Sequence, residues 1–189
     1  MEAKAIPLSR RPADIAFLLF FLVNILFITY MVDIEQLTIP DAVHFTYPAW
    51  PPHAVVDMVH RYGETLDPLL IARPPWWKMT IWIDALLFGP FYLAAIYAFI
   101  KARNWIRIPA IIYSSMLITN VLIILSEEIY GPHATPHLPV VFLLNLPWLV
   151  FPALLIYRMW HFPHPFTEPV LPFEPVASSS LQRASSTGD

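Results

Sequence analysis

The chain has 189 residues, of which 57% are hydrophobic and only 13% are charged, with a mean hydropathy of +0.56. Soluble globular domains carry about 25% charged residues, so this composition predicts a membrane protein. The net charge of −3 argues against a nucleic-acid-binding surface, and the absence of cysteine excludes disulfides and thiolate-ligated metals.

Four apolar segments are each long enough to cross a bilayer core, which needs about 20 helical residues. They lie at about 15–34, 78–100, 108–129 and 138–160. They predict an all-α membrane protein with a four-transmembrane-helix bundle. The first segment has basic residues before it but no cleavage site of small residues after it, so we expect a retained helix rather than a signal peptide.

Basic residues are divided unequally between the two ends of this bundle. Of the 11 Lys and Arg residues, only Arg61, Arg73 and Lys78 lie on the side of the long connection between helices 1 and 2. Loops rich in Lys and Arg stay in the cytosol. Both termini and the 101–107 turn are therefore expected to be cytosolic, and residues 35–76 and 130–137 lumenal.

The connections and the C-terminal end differ in composition from the apolar segments. The connection between helices 1 and 2 is about 43 residues long and is too apolar for a solvated loop, so we expect a lid packed over the lumenal end. After residue 160 the chain is rich in proline and serine, which cannot build a core. We expect three parts: a cytosolic segment 1–12, one membrane domain 13–160 and a disordered cytosolic tail 161–189.

Asp84 is a carboxylate inside the apolar stretch TIWIDALLFGP. At 1.5 Å per residue it lies roughly 10 Å from the lumenal start of helix 2. Since an Asp at mid-membrane costs about 2.5–3.5 kcal/mol, we expect it to face the bundle interior and to have a partner. Asp33 ends helix 1 at the same side of the membrane.

Helices 3 and 4 carry further polar and aromatic candidates for a pocket in the lumenal half. Tyr113, Asn120 and Glu127 are seven residues apart and therefore lie near one stripe of helix 3. Asn145 and Trp148 form an i, i+3 pair on helix 4. For the two asparagines, a hydrogen bond between helices, worth about 0.6 kcal/mol, is an alternative role. Glu127 is expected to face Asp84 across the pocket.

Prolines are expected to bend helices 2 and 4. Pro90, Pro147 and Pro152 each remove a backbone hydrogen bond, and kinks on facing helices would open the pocket. The histidines do not suggest a metal site, because they are scattered and Pro136 separates His133 from His137. We expect no metal and no other cofactor.

Three motifs resemble the sigma-2 receptor family of endoplasmic-reticulum membrane proteins, within the EXPERA group: DPLL at 67–70, PPWWK at 74–78 and WIRIPAIIYS at 105–114. The resemblance covers residues 13–160. It implies a four-helix bundle with a lumenal-side cavity for sterols and cationic amphiphilic amines. The family's three acids look like Asp33, Asp67 and Asp84 in this chain, with Asp67 expected to act structurally by tying down the lid. In the receptors the third acid is similar to a glutamate.

Two motifs look more like the emopamil-binding sterol isomerases of the same group, LSEE at 125–128 and NLPW at 145–148. That resemblance would make Asp84, Glu127 and Asn145 catalytic, with Trp148 beside them. The isomerases also carry a His one turn before the second-helix acid, where this chain has Thr80. Because a hydroxyl does not carry protons near neutral pH, binding is favoured, and Δ8 to Δ7 sterol isomerisation is the alternative.

The resemblance implies partners beyond the pocket ligand. Fungal members of the family point to quality control of mitochondrial precursors at the endoplasmic reticulum, and animal members to cholesterol trafficking with a lysosomal sterol transporter. Relatives are commonly dimeric. The expected partners are therefore a sterol or amphiphilic amine, the lipid bilayer, a second copy of the chain, and a sterol transporter or quality-control factor, with no nucleic acid.

Overall fold

The computed structural model describes residues 4–168 of the chain. Four helical runs are long and apolar enough to cross a membrane, and we call them spans 1 to 4: Pro12–Thr38, Pro75–Ile100, Asn104–Tyr130 and Leu138–His161. The prediction of an all-α, four-span membrane protein is confirmed. Two of these runs begin with a proline, whose fixed φ suits the first turn of a helix and whose missing N–H costs nothing there.

The spans contain several changes of helical geometry. Span 1 comprises α-helix Pro12–Val23, π-helical turns Asn24–Asp33 and α-helix Ile34–Thr38. Span 2 comprises Pro75–Ile83, π-helical turns Asp84–Phe88 and Gly89–Ile100. Span 3 opens with the 3-10 turn Asn104–Ile106 before Arg107–Tyr130, and span 4 is divided at Leu146 into Leu138–Asn145 and Pro147–His161.

These interruptions only partly follow the predicted proline bends. The π-helical turns of span 2 end just before Pro90, and the division of span 4 lies just before Pro147. Pro152, in contrast, lies inside an unbroken α-helix. The two π-helical segments pack against each other, which brings the acid at the end of one beside the acid at the start of the other.

The connection between spans 1 and 2 is folded, and it contains a helix that the sequence analysis did not predict. The lid helix, His53–Thr65, is followed by the short helical turn Leu69–Ala72. Its buried residues are Val56, Val59, His60 and Gly63, spaced as one face of an amphipathic helix. This spacing can be read from the sequence and could have predicted the lid helix. The lid helix and the turn together form the lid.

The first and last described residues meet at the opposite end of the bundle from the lid. Strand β1, Lys4–Ala5, pairs antiparallel with strand β2, Thr167–Glu168. Beneath them Asp14 accepts hydrogen bonds from Arg11 Nη1 at 2.5 Å and from Arg158 Nη2 at 2.8 Å, and Phe166 is fully buried. Residues 165–168 are therefore packed on the membrane domain, which differs from the expected disordered tail. The remainder of that tail, 169–189, lies outside the described residues.

Candidate functional site

A cavity of about 470 Å³ lies between the four spans and beneath the lid. Its volume is in the range of small-molecule sites, about 300–1,000 Å³. The wall is mostly aliphatic and aromatic, but four carboxyl groups line it: Asp33, Asp67, Asp84 and Glu128. Among the described residues that form the wall, none is Lys, Arg or His. The surface of the cavity is therefore mostly apolar, and its ionisable groups are all acids.

The first acid pair joins spans 1 and 2. The side chains of Asp33 and Asp84 are in hydrogen-bonding contact with each other. Asp84 also accepts hydrogen bonds from Thr29 Oγ1 at 2.5 Å and from Tyr92 Oη at 3.3 Å. Tyr113 does not line the cavity; its hydroxyl donates to Tyr92 Oη at 3.2 Å and so reaches the pair through one intermediate. The structure thus brings Asp84 together with Asp33, which the sequence had placed only at the same side of the membrane, and not with the expected Glu127.

The second acid pair joins the lid to span 3. The carboxyl groups of Asp67 and Glu128 are in hydrogen-bonding contact. Asp67 Oδ1 also accepts a hydrogen bond from the Leu69 backbone N–H at 3.2 Å. Burial raises the pKa of Asp67 to about 6, an effect that the hydrogen bonds from Leu69 and Glu128 partly offset. Asp67 therefore lines the cavity as well as holding the lid turn that follows it.

Glu128 is a deeply buried acid without an N–H or hydroxyl donor. It is 1% exposed, and neither carboxyl oxygen receives a hydrogen bond from an N–H or hydroxyl donor. The Asn145 amide lies beside it, but its Nδ2 donates to the Val141 carbonyl at 3.0 Å. A buried carboxyl group that receives no hydrogen bond from such a donor is costly, so its position in the cavity wall calls for an explanation.

The expectation that Glu127 faces Asp84 across the pocket is wrong by one residue. Glu127 lies in a groove on the outer surface of span 3 and accepts a hydrogen bond from His133, with Nδ1 at 2.7 Å from Oε1. Successive helical residues point about 100° apart, so only one of two adjacent glutamates can face the cavity. The stripe that does so is Leu117, Val121, Ile124 and Glu128, with Asn120 at its edge.

The remaining predicted site residues lie in the cavity wall. Asn120, Asn145 and Trp148 all line it. The Trp148 indole Nε1 donates at 2.8 Å to Asn24, a buried residue of span 1 that the sequence analysis did not include in the site. Thr80 also lines the cavity, but its hydroxyl donates to the Trp77 carbonyl at 2.8 Å within its own helix.

A buried ionic cluster holds the lid onto span 1, and it was not predicted from the sequence. Glu35 accepts hydrogen bonds from Arg73 Nη2 at 2.8 and 3.0 Å and lies 2.8 Å from His60 Nε2. Arg73 also donates to the carbonyls of Leu70 and Ile39. The only available signal was a charged residue, Glu35, in the apolar stretch that ends span 1, and nothing in the sequence identified its partners.

Comparisons with known proteins agree with this architecture. Residues 54–159 match the family model described as EXPERA, the expanded EBP superfamily. The chain is 32% identical over 143 residues to Sigma intracellular receptor 2 of Xenopus tropicalis, covering 70% of this chain and 79% of that protein. The proteins of the same name from Macaca fascicularis and Homo sapiens are each 41% identical over 68 residues, 35% of this chain and 39% of theirs.

Proposed function

This chain belongs to the EXPERA family of membrane proteins, and we propose that it binds a sterol or a cationic amphiphilic amine in the cavity beneath its lid. The observation that carries the proposal is the Asp33–Asp84 pair in the wall of a mostly apolar cavity. Among the described wall residues no basic side chain balances these acids. A ligand with an apolar body and one ammonium group supplies what the cavity lacks.

The physical argument rests on burial. A carboxylate in a poorly solvated site interacts more strongly with a cation than it would in water, and a charge-assisted hydrogen bond adds to that attraction. Trp148 and Trp77 line the same wall, and their ring faces can also attract a cation. A sterol would use the aliphatic wall and donate its single hydroxyl to one of the acids.

The cellular setting forms part of the same proposal. We place the protein in the endoplasmic-reticulum membrane with both termini in the cytosol and the lid in the lumen, acting in sterol homeostasis or trafficking. The support is the resemblance of its motifs to an endoplasmic-reticulum family and the unequal distribution of basic residues.

The test compares a charged and a neutral ligand on the purified full chain in lipid nanodiscs. Asp84→Asn should weaken binding of an amphiphilic amine about tenfold or more, equivalent to about 1.4 kcal/mol, while cholesterol binding changes little. Glu127→Gln is the matched control, because it also neutralises an acid of the bundle but lies outside the cavity. Equal losses for amine and sterol would mean that Asp84 only maintains the fold.

Sterol isomerisation is the second candidate, and one observation favours it. Glu128 is a buried carboxyl group without a hydrogen-bond donor, facing the cavity where the sequence analysis had placed Glu127. A double-bond shift needs an acid to protonate an alkene carbon and a base to remove a proton elsewhere. Asp84, Glu128 and Asn145 would be the residues concerned. Thr80, whose hydroxyl bonds its own helix, is a poor proton carrier, so binding ranks first.

A further inference from the structure

The four cavity acids form two separate pairs at different depths. Asp84 contacts Asp33, Thr29 and Tyr92, whereas Glu128 contacts Asp67 and Asn145. Glu128 lies two residues before the end of span 3, and Asp84 lies nine residues after the start of span 2. Both of those helix ends are at the lid. At 1.5 Å per residue, the pairs are therefore separated by roughly 10 Å along the bundle.

Each pair can carry one negative charge when its two carboxyl groups share a proton. No basic side chain among the described wall residues would balance that charge. The nearby Arg73 is not available, because its guanidinium is held by Glu35 and by the carbonyls of Leu70 and Ile39. Glu128, in addition, faces the cavity with no donor.

We propose that the cavity is built for a dicationic amphiphile, with one ammonium group at Asp33–Asp84, a second at Asp67–Glu128, and an apolar segment along the aliphatic wall between them. The inference rests on the proposed function and extends it from one cation subsite to two. It makes Glu128 a specificity residue, because it distinguishes ligands with two positive ends from those with one.

The test uses α,ω-diaminoalkanes from butane to dodecane, with the n-alkylamine and the α,ω-amino alcohol of each chain length as comparisons. Dissociation constants are measured on the full chain in nanodiscs and in empty nanodiscs, so that partition into lipid is subtracted. Diamine affinity should pass through a maximum at an intermediate length. At that length the diamine should bind about tenfold more tightly than the monoamine and the amino alcohol.

Substitutions separate the two subsites. Glu128→Gln should remove the advantage of the diamine over the monoamine, measured as the ratio of their dissociation constants, and Asp67→Asn should do the same. Glu127→Gln, one residue away but in the outer groove, should not change this ratio. Since glutamine replaces a buried carboxyl group that has no donor, the Glu128→Gln protein should fold; if it does not, the length series on the wild type decides.

Three outcomes would overturn the inference. These are a wild type without a length optimum or diamine advantage, an amino alcohol that binds as tightly as the diamine, and a Glu128→Gln variant that loses mono- and diamine binding equally. Monoamine binding that still depends on Asp84 would then leave the proposed function standing. Failure of every amine to bind would instead remove the amine-binding part of the proposed function.

Discussion

Replacing Arg73 with methionine should detach the lid from the membrane-spanning helices. The Arg73 side chain is 4% exposed, and its guanidinium donates to both oxygens of Glu35 and to the carbonyls of Leu70 and Ile39. Methionine keeps the apolar stem of the side chain but none of these donors. The Glu35 carboxylate, which has no exposed surface, would be left with His60 and Gln36 as its remaining partners.

The size of the effect follows from these contacts. Removing one partner of a buried ion pair costs about 3–5 kcal/mol, mostly because the other charge stays buried. Two carbonyls also lose a donor, at about 1 kcal/mol each. His60 Nε2, 2.8 Å from Glu35, can donate to the carboxylate and offset part of the loss. We therefore expect a cost of about 3–5 kcal/mol, expressed mainly in opening of the lid.

Hydrogen exchange across residues 53–72 and ligand dissociation in nanodiscs measure this opening. If the substitution lowers the free energy of lid opening by about 3 kcal/mol, amide hydrogens in the lid should exchange roughly 100-fold faster than in the wild type. Ligand dissociation should accelerate by at most the same factor. Arg61→Met is the matched control, since Arg61 is exposed on the lid helix. Adding Glu35→Met to Arg73→Met should recover part of the loss because it removes the orphaned charge. Lid exchange in Arg73→Met equal to that in Arg61→Met would refute the reasoning.

Three further predictions concern catalysis, pH and topology. Wild-type protein should show little Δ8 to Δ7 isomerisation, measured by gas chromatography of sterols. Thr80→His should raise this activity because imidazole carries protons near neutral pH. Robust turnover by the wild type that is lost in Glu128→Gln would contradict the prediction. The pKa of Asp67 is about 6 in the folded chain and 3.8 in the unfolded chain. The contribution of Asp67 to the free energy of unfolding is therefore fully present below pH 3.8 and falls by about 2–3 kcal/mol as the pH rises through 6. Asp67→Asn should flatten that decline in urea unfolding, and equal slopes would count against it. Tags at residues 1 and 189 should be digested in sealed microsomes, whereas protection of either would reverse the proposed orientation.

The sequence alone determined the class of protein, the number of spans and the inward orientation of Asp84. Crossing a bilayer is a property of about 20 consecutive residues, so each span can be recognised without knowing its neighbours. The same holds for Asp84, because a carboxylate in such a segment must face inward wherever the other helices lie. Asp33 was placed at the same level because it ends the neighbouring span.

Only the tertiary structure decided which side chains meet. An apolar span faces lipid on one side and other helices on the other, and since both surroundings are apolar, its hydrophobic pattern does not fix its rotation. That is why Glu127 was assigned to the pocket although Glu128 faces it. The Glu35–Arg73 contact joins residues 38 positions apart, and the Asp67–Glu128 pair joins the lid to span 3. Such pairs form because the packing of several helices buries their side chains in the same water-free space. A local stretch of sequence does not show which distant residues will be buried there.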